Sequence, residues 1–200
     1  PKRDWSSDVC SSDLDNLDGG AAGAVAATSL GLFLISYQNG QFLISALSIT
    51  TLGAMFGFLL WNKSPARIYM GDAGALFLGI LISVLALRLN PDVDGKFTSF
   101  AIPIFLLAIP ILDTSVAVTS RIKRQISPLQ GGRDHLSHRL LRLGFSKRNS
   151  AYTLWSLSGL YSAFALALAT SYFNSKVVLP IAIALWGSLL DRKSTRLNSS

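Results

Sequence analysis

Glutamate is absent from this 200-residue chain, so its 11 acidic side chains are all aspartate. Charge of either sign is scarce at 14% of residues, well below the quarter or so that a soluble domain carries. The apolar residues make up 50% of the chain, and they come in long unbroken runs that a soluble core does not need. The mean hydropathy is +0.43. These features exclude an ordinary soluble domain and point to a membrane protein. A single cysteine, Cys10, excludes an intramolecular disulfide framework. The net charge of +7 would suit nucleic acid, but the basic residues lie between apolar runs. A phosphate-bearing ligand or the positive-inside bias explains them better, and no nucleic acid is expected.

The two ends, residues 1–14 and 191–200, are Ser-rich, charged and without periodicity. Asp191-Arg-Lys-Ser-Thr-Arg-Leu-Asn-Ser-Ser can be encoded by a DNA string with a telling reverse complement. Read in a shifted frame, it gives Trp-Ser-Ser-Asp-Val-Cys-Ser-Ser-Asp, which is Trp5 to Asp13. Two natural polar tails have no reason to encode each other in reverse. The string also resembles a sequencing adapter, so both ends are expected to be non-native and say nothing about the fold. The remaining stretch, 15–190, is expected to be a truncated transmembrane domain.

Six apolar segments follow, at 21–37, 41–60, 73–87, 97–120, 151–172 and 177–190. Most have the roughly 17–25 residues that a spanning helix needs; the third is short and the last looks truncated. The expected fold is an all-α integral membrane protein, a multi-pass bundle of about six transmembrane helices. Pro103 and Pro110 should kink the fourth helix. Gly31, Gly53, Gly57 and Gly79 should permit close packing. The connecting loops alternate in charge. Gln38-Asn39-Gly40 has none, and in the loop 88–96 basic residues are balanced by Asp92 and Asp94. The loop 61–72 carries Lys63 and Arg67, and the loop 121–150 carries eight Lys and Arg side chains from Arg121 to Arg148. The positive-inside rule places these two loops, and the start at Asp15, on the cytoplasmic side of the cell membrane.

Three polar clusters therefore share one face. In Asp15-Asn-Leu-Asp-Gly-Gly20, Asp15 and Asp18 sit three residues apart beside glycines that allow a close backbone approach; an N-cap and turn reads equally well. The second cluster runs from Asn62 to Gly74. Asp72 opens a helix there, a position that favours phosphate, and a carboxylate among phosphates calls for a bridging Mg²⁺. The bland reading is a plain N-cap. In the third, Gly131 to Gly144, a helix would place Leu136, Leu140 and Leu143 on one face. His135, His138, Arg139 and Arg142 would fall on another, as a diphosphate cradle, with Gly144 as the stop. An amphipathic helix on anionic lipid is the alternative, and zinc a weaker one. Asp113 lies inside an apolar segment, where a carboxylate is either functional or paired with a loop arginine such as Arg121.

Together the motifs resemble the polyprenyl-phosphate N-acetylhexosamine-1-phosphate transferases, the WecA, TagO and MraY superfamily. Asp15-Asn-Leu-Asp-Gly-Gly-Ala-Ala-Gly23 is similar to the family's Asp-x-x-Asp-Gly signature. Ser64-Pro-Ala-Arg-Ile-Tyr-Met-Gly-Asp-Ala-Gly74 is similar to its nucleotide-sugar and metal loop. Pro110-Ile-Leu-Asp-Thr114 and Asp134-His-Leu-Ser-His-Arg-Leu140 are similar to its last two motifs. Ser137 stands where the family commonly has a further His, which places the chain nearer WecA and TagO than MraY. An Asp-Asp motif on an earlier loop is missing, and Ser12 takes the place of an Asn, so the chain alone is expected to be inactive.

The resemblance implies transfer of a sugar-1-phosphate, N-acetylglucosamine-1-phosphate from a UDP-sugar, to polyprenyl phosphate for cell-envelope polysaccharide synthesis. It implies Asp15, Asp18, His135 and His138 as catalytic residues and Asn62, Arg67, Arg133 and Arg139 as substrate-binding residues. Asp72 would be the metal ligand and Mg²⁺ the cofactor. Expected partners are the polyprenyl phosphate lipid, the UDP-sugar and the membrane, with a homodimer left open. The rival classes are a transporter, which would need more polar residues at mid-membrane, and a non-catalytic scaffold, which gives no reason for three charged clusters on one face.

Overall fold

The structure, a computed structural model, describes residues 18–93, 95–123, 125, 136–170, 180, 181 and 184. Among the described residues, seven helices follow one another: α1 (Gly20–Gln38), α2 (Phe42–Asn62), α3 (Gly71–Arg88), α4 (Lys96–Leu106), α5 (Ala108–Lys123), α6 (Leu136–Arg142) and α7 (Lys147–Ala169). No strand occurs among the described residues. Four helices, α1, α2, α3 and α7, are long and apolar enough to cross a membrane. At 1.5 Å per residue each is about as long as the roughly 30 Å hydrocarbon core is thick. The third apolar segment, short in the sequence, gains Gly71, Asp72 and Arg88 and becomes an 18-residue helix. The sixth segment and both expected non-native ends lie outside the described residues.

The fourth segment is two helices rather than one kinked one. α4 and α5 meet at Leu107 and bend by 78°, the form of a broken span or of a re-entrant loop. The cause is local. In an unbroken helix the N–H of residue 110 would bond the carbonyl of Leu106, and Pro110 has no N–H to give. The freed Leu106 carbonyl accepts a hydrogen bond from the Thr28 hydroxyl of α1 at 3.3 Å.

α1 lies at the centre, packed chiefly on α2 and α7, while α4 packs on α7. Its small residues make this possible, because helices in lipid gain by close packing rather than by hydrophobic burial. A Cβ at Gly31 would sit 2.9 Å from the Ser162 Cβ of α7, and one at Gly23 only 2.0 Å from the Trp155 ring. Gly53, Gly57 and Gly79, expected to serve packing, have nothing within 4 Å of such a Cβ. They lie on the outer sides of α2 and α3, where Phe42, Leu43, Phe56, Leu76, Phe77 and Ile80 are also exposed. The main core joins Leu32 and Ile35 of α1 to Ile102, Leu106, Leu112, Leu154 and Tyr161.

The loops sort to two ends. At one, Gln41 bonds the backbone of Asn90 in both directions, joining the α1–α2 turn to the α3–α4 loop. The other end gathers the starts of α1, α3 and α7 with the loop after α2.

Candidate active site

The acidic stretch and the loop after α2 meet at this second end. Gly19 adopts a left-handed conformation (φ 75°) as the N-cap of α1, which frees its N–H to point away from the helix. That N–H donates to Asn62 Oδ1 at 3.0 Å. Asn62, only 3% exposed, also donates from Nδ2 to the Ile68 carbonyl at 2.7 Å. One amide thus ties the α1 start to both ends of the loop 63–68. Asp18 Oδ2 accepts from the Ala66 N–H at 3.3 Å. Residues 43 and 48 positions apart are joined in this way. Asp15 and its partner motif residues before Asp18 lie outside the described residues.

Within the loop, the Arg67 N–H bonds the Trp61 carbonyl at 2.8 Å. The Arg67 guanidinium stands 5.7 Å from the Trp61 ring centre, a cation–π contact that holds a cation at the surface. Leu60, Trp61, Lys63, Ser64, Pro65 and Arg67 line a pocket of about 360 Å³. Arg67 is exposed and lines this basic pocket.

Asp72 is not a plain N-cap. The N-cap of α3 is Met70, which makes no side-chain cap bond, and Asp72 lies inside the first turn with its side chain exposed. It heads a groove of about 510 Å³ that runs down α3 past Ala75, Leu76, Gly79, Ile80, Ser83 and Val84. Among the described residues no three His, Cys, Asp or Glu side chains converge. A closed protein cage for a metal is therefore not formed by them. A hard, exposed carboxylate at a helix start still suits Mg²⁺, which commonly takes one or two carboxylates and completes its shell with substrate phosphate and water.

The third cluster is anchored to α5. The Leu136 N–H, at the start of α6, donates to Asp113 Oδ1 at 2.6 Å. Asp113 is 6% exposed, and its carboxylate lies at the positive end of a helix where negative charge is favoured. Neither expected role, reaction chemistry or pairing with a loop arginine, included this docking of α6. Arg139 Nη2 donates to the Val116 carbonyl at 3.2 Å. Leu136 is buried and Leu140 packs against the main core, as the helical spacing requires. Leu143 departs from that face and is exposed, because the helix ends at Arg142 and turns through Gly144 (φ 88°). Arg133 and His135 lie outside the described residues, as do the side chains of His138 and Arg142.

One contact escaped the sequence reading. The Trp155 indole of α7 donates from Nε1 to the Gly19 carbonyl at 3.0 Å. A tryptophan in an apolar run reads as a membrane residue, and only the Gly19 and Gly23 pair, one helical turn apart, hinted at a large neighbour.

Residues 14–90 match the model of glycosyl transferase family 4, a span that takes in Asp15, Asp18, Asn62, Arg67 and Asp72. The chain is 35% identical over 158 residues to a probable undecaprenyl-phosphate N-acetylglucosaminyl 1-phosphate transferase of Bacillus subtilis, covering 79% of this chain and 44% of that protein. The chain belongs to glycosyl transferase family 4. It is also 30% identical over 193 residues to a decaprenyl-phosphate N-acetylglucosaminephosphotransferase of Mycolicibacterium smegmatis, covering 86% of this chain and 47% of that protein. A phospho-N-acetylmuramoyl-pentapeptide-transferase of Chlamydia trachomatis is 43% identical over 81 residues, 39% of this chain and 24% of that protein. The chain thus spans a little under half the length of the first two of these relatives. As expected, the family 4 chain is a multi-pass helical membrane protein.

Proposed function

We propose that this family 4 chain carries part of the active site of an enzyme that transfers N-acetylglucosamine-1-phosphate from UDP-N-acetylglucosamine to polyprenyl phosphate. The observation that carries the reading is the junction of Asp18, Gly19, Asn62 and Ala66. It assembles the acidic motif and the basic loop at the end of the bundle where α3 presents Asp72. The names of the two long-matching relatives agree with it.

In the reaction, an oxygen of the lipid phosphate attacks the sugar-bearing phosphorus. The bond from that phosphorus to the oxygen bridging the two phosphates breaks, and UMP leaves with the bridging oxygen. Such transfers depend mostly on positioning and charge neutralisation. Asp72 would hold Mg²⁺, whose charge offsets that of the diphosphate. Arg67, on its exposed loop, would bind phosphate oxygens, and Arg139 would contribute a two-pronged contact from the α6 side, together with Arg133. Asp15 and Asp18 would shape the site, with His135 and His138 closing it from the loop before and within α6. Asn62, with its amide spent on backbone, would serve substrate binding by fixing the loop rather than by direct contact. The site would face the cytoplasm, where UDP-sugars are found and where the basic loops are expected.

The test uses the chain fused to the upstream half of the Bacillus subtilis relative, in membranes supplied with polyprenyl phosphate and labelled UDP-N-acetylglucosamine. Mg²⁺-dependent appearance of label in the lipid phase supports the reading. No labelled lipid from a well-folded, membrane-inserted fusion overturns it.

A further inference from the structure

We propose that Trp155 is a positioning residue for the acidic motif, holding the α1 start in register with the segment that carries His138 and Arg139. The proposal rests on the transfer reading above for its catalytic consequence, and on geometry for the anchor itself.

Trp155 is held from several sides. Its Nε1 donates to the Gly19 carbonyl at 3.0 Å, and its ring lies 3.3 Å from where a Gly19 Cβ would be. At Gly23 the ring occupies the Cβ position itself, at 2.0 Å. The indole is therefore seated in a notch that only glycine leaves open, one turn into α1. On its other side Tyr152 stacks edge-on at 5.2 Å, and the Tyr152 hydroxyl accepts from Arg148 Nε at 3.0 Å. Arg148 stands in the first turn of α7, four residues beyond Gly144, where the chain turns after α6.

The same Gly19 whose carbonyl receives the indole gives its N–H to Asn62. Both backbone polar groups of Gly19, the neighbour of Asp18, are thus held, the N–H by the end of α2 and the carbonyl by α7. One helical turn further, Ser158 of α7 donates to the Ala24 carbonyl at 2.9 Å and lies 3.1 Å from the Thr28 hydroxyl. That second contact keeps α7 against α1 when the first is removed. Losing the indole N–H should therefore loosen the α1 start without separating the helices. The Gly19 carbonyl also accepts the helical bond from Gly23, so it is not left bare.

Trp155→Phe keeps a ring and removes the donor. Hydrogen–deuterium exchange is read on the unliganded chain, and kinetics on the fused form. Amide exchange over residues 19–23 should rise by about tenfold while the middle of α1 is unchanged. In the fusion, kcat should fall by about tenfold with KM for the UDP-sugar within about twofold, since misplacement of a reacting group costs turnover more than binding. Gly23→Ala builds a methyl into the ring's seat and should reproduce both changes with the indole still present. Unchanged exchange in both variants would overturn the anchor. Raised exchange with kcat within twofold of the parent would overturn the positioning role. An inactive parent fusion would count against the transfer reading, while the exchange arm would still decide the anchor.

Discussion

Asn62 shows how much one side chain can organise. Its acceptor and donor each hold a backbone group from a different part of the chain, in a place nearly shut off from water. Asn62→Leu should leave the Gly19 N–H and the Ile68 carbonyl without partners. The Gly19 N–H is buried, and an orphan there costs about 1–3 kcal/mol, whereas water can reach exposed Ile68, so thermal unfolding in detergent should shift downward. Asn62→Asp keeps the acceptor but sets a buried carboxylate oxygen against the Ile68 carbonyl, so it should not restore stability. Asp72 behaves differently, being exposed and outside any cap bond. In the fused form Asp72→Asn should remove most turnover and weaken the Mg²⁺ dependence while the unfolding midpoint stays put. Near-normal activity with an unchanged metal response would mean that Asp72 has no part in binding Mg²⁺. Arg139→Lys keeps the charge but not the planar fork, so it should lower activity, and a zinc chelator should have no effect. Residue type and neighbours singled these side chains out in the sequence. Their partners were not, because Asn62 and Gly19 are brought together only by the return of α2 along α1.

The helices were legible as apolar runs, and their bounds mostly moved by one to four residues. The fourth run reads as a single hydrophobic stretch with two prolines, and hydropathy alone cannot say whether a proline bends a helix or breaks it. Here Pro110 frees the Leu106 carbonyl, and the partner that takes it up, Thr28, lies 78 residues away. Thr28→Val should therefore leave the Leu106 carbonyl unpaired and lower stability by about 1 kcal/mol or a little more, read as a lower unfolding midpoint. Thr28→Ser should be nearly neutral. Glycines followed the same pattern. Gly31 and Gly23 face α7 and are needed there, whereas Gly53, Gly57 and Gly79 meet nothing. Gly31→Val should cost about 1–3 kcal/mol by overpacking, and Gly57→Val should be tolerated. A glycine in an apolar helix signals close packing only on the side that another helix approaches, and one sequence does not reveal that side.

Across the bundle, the alternation of charged and uncharged loops matches the two ends. Gln41 meets Asn90 at one end, and Asp18, Asn62 and Trp155 gather at the other. Single cysteines at Asn39 and Gln130, in a Cys10→Ser background, should label from opposite sides of sealed vesicles. Gln130 should react only from the cytoplasmic side, and labelling of Gln130 from outside would reverse the proposed orientation. The chemistry itself is tested most directly by following the phosphorus. In the fused form, UDP-N-acetylglucosamine labelled at its sugar-bearing phosphate should pass that label into the lipid product and release unlabelled UMP. Release of labelled UDP, with sugar but no labelled phosphorus on the lipid, would contradict sugar-1-phosphate transfer.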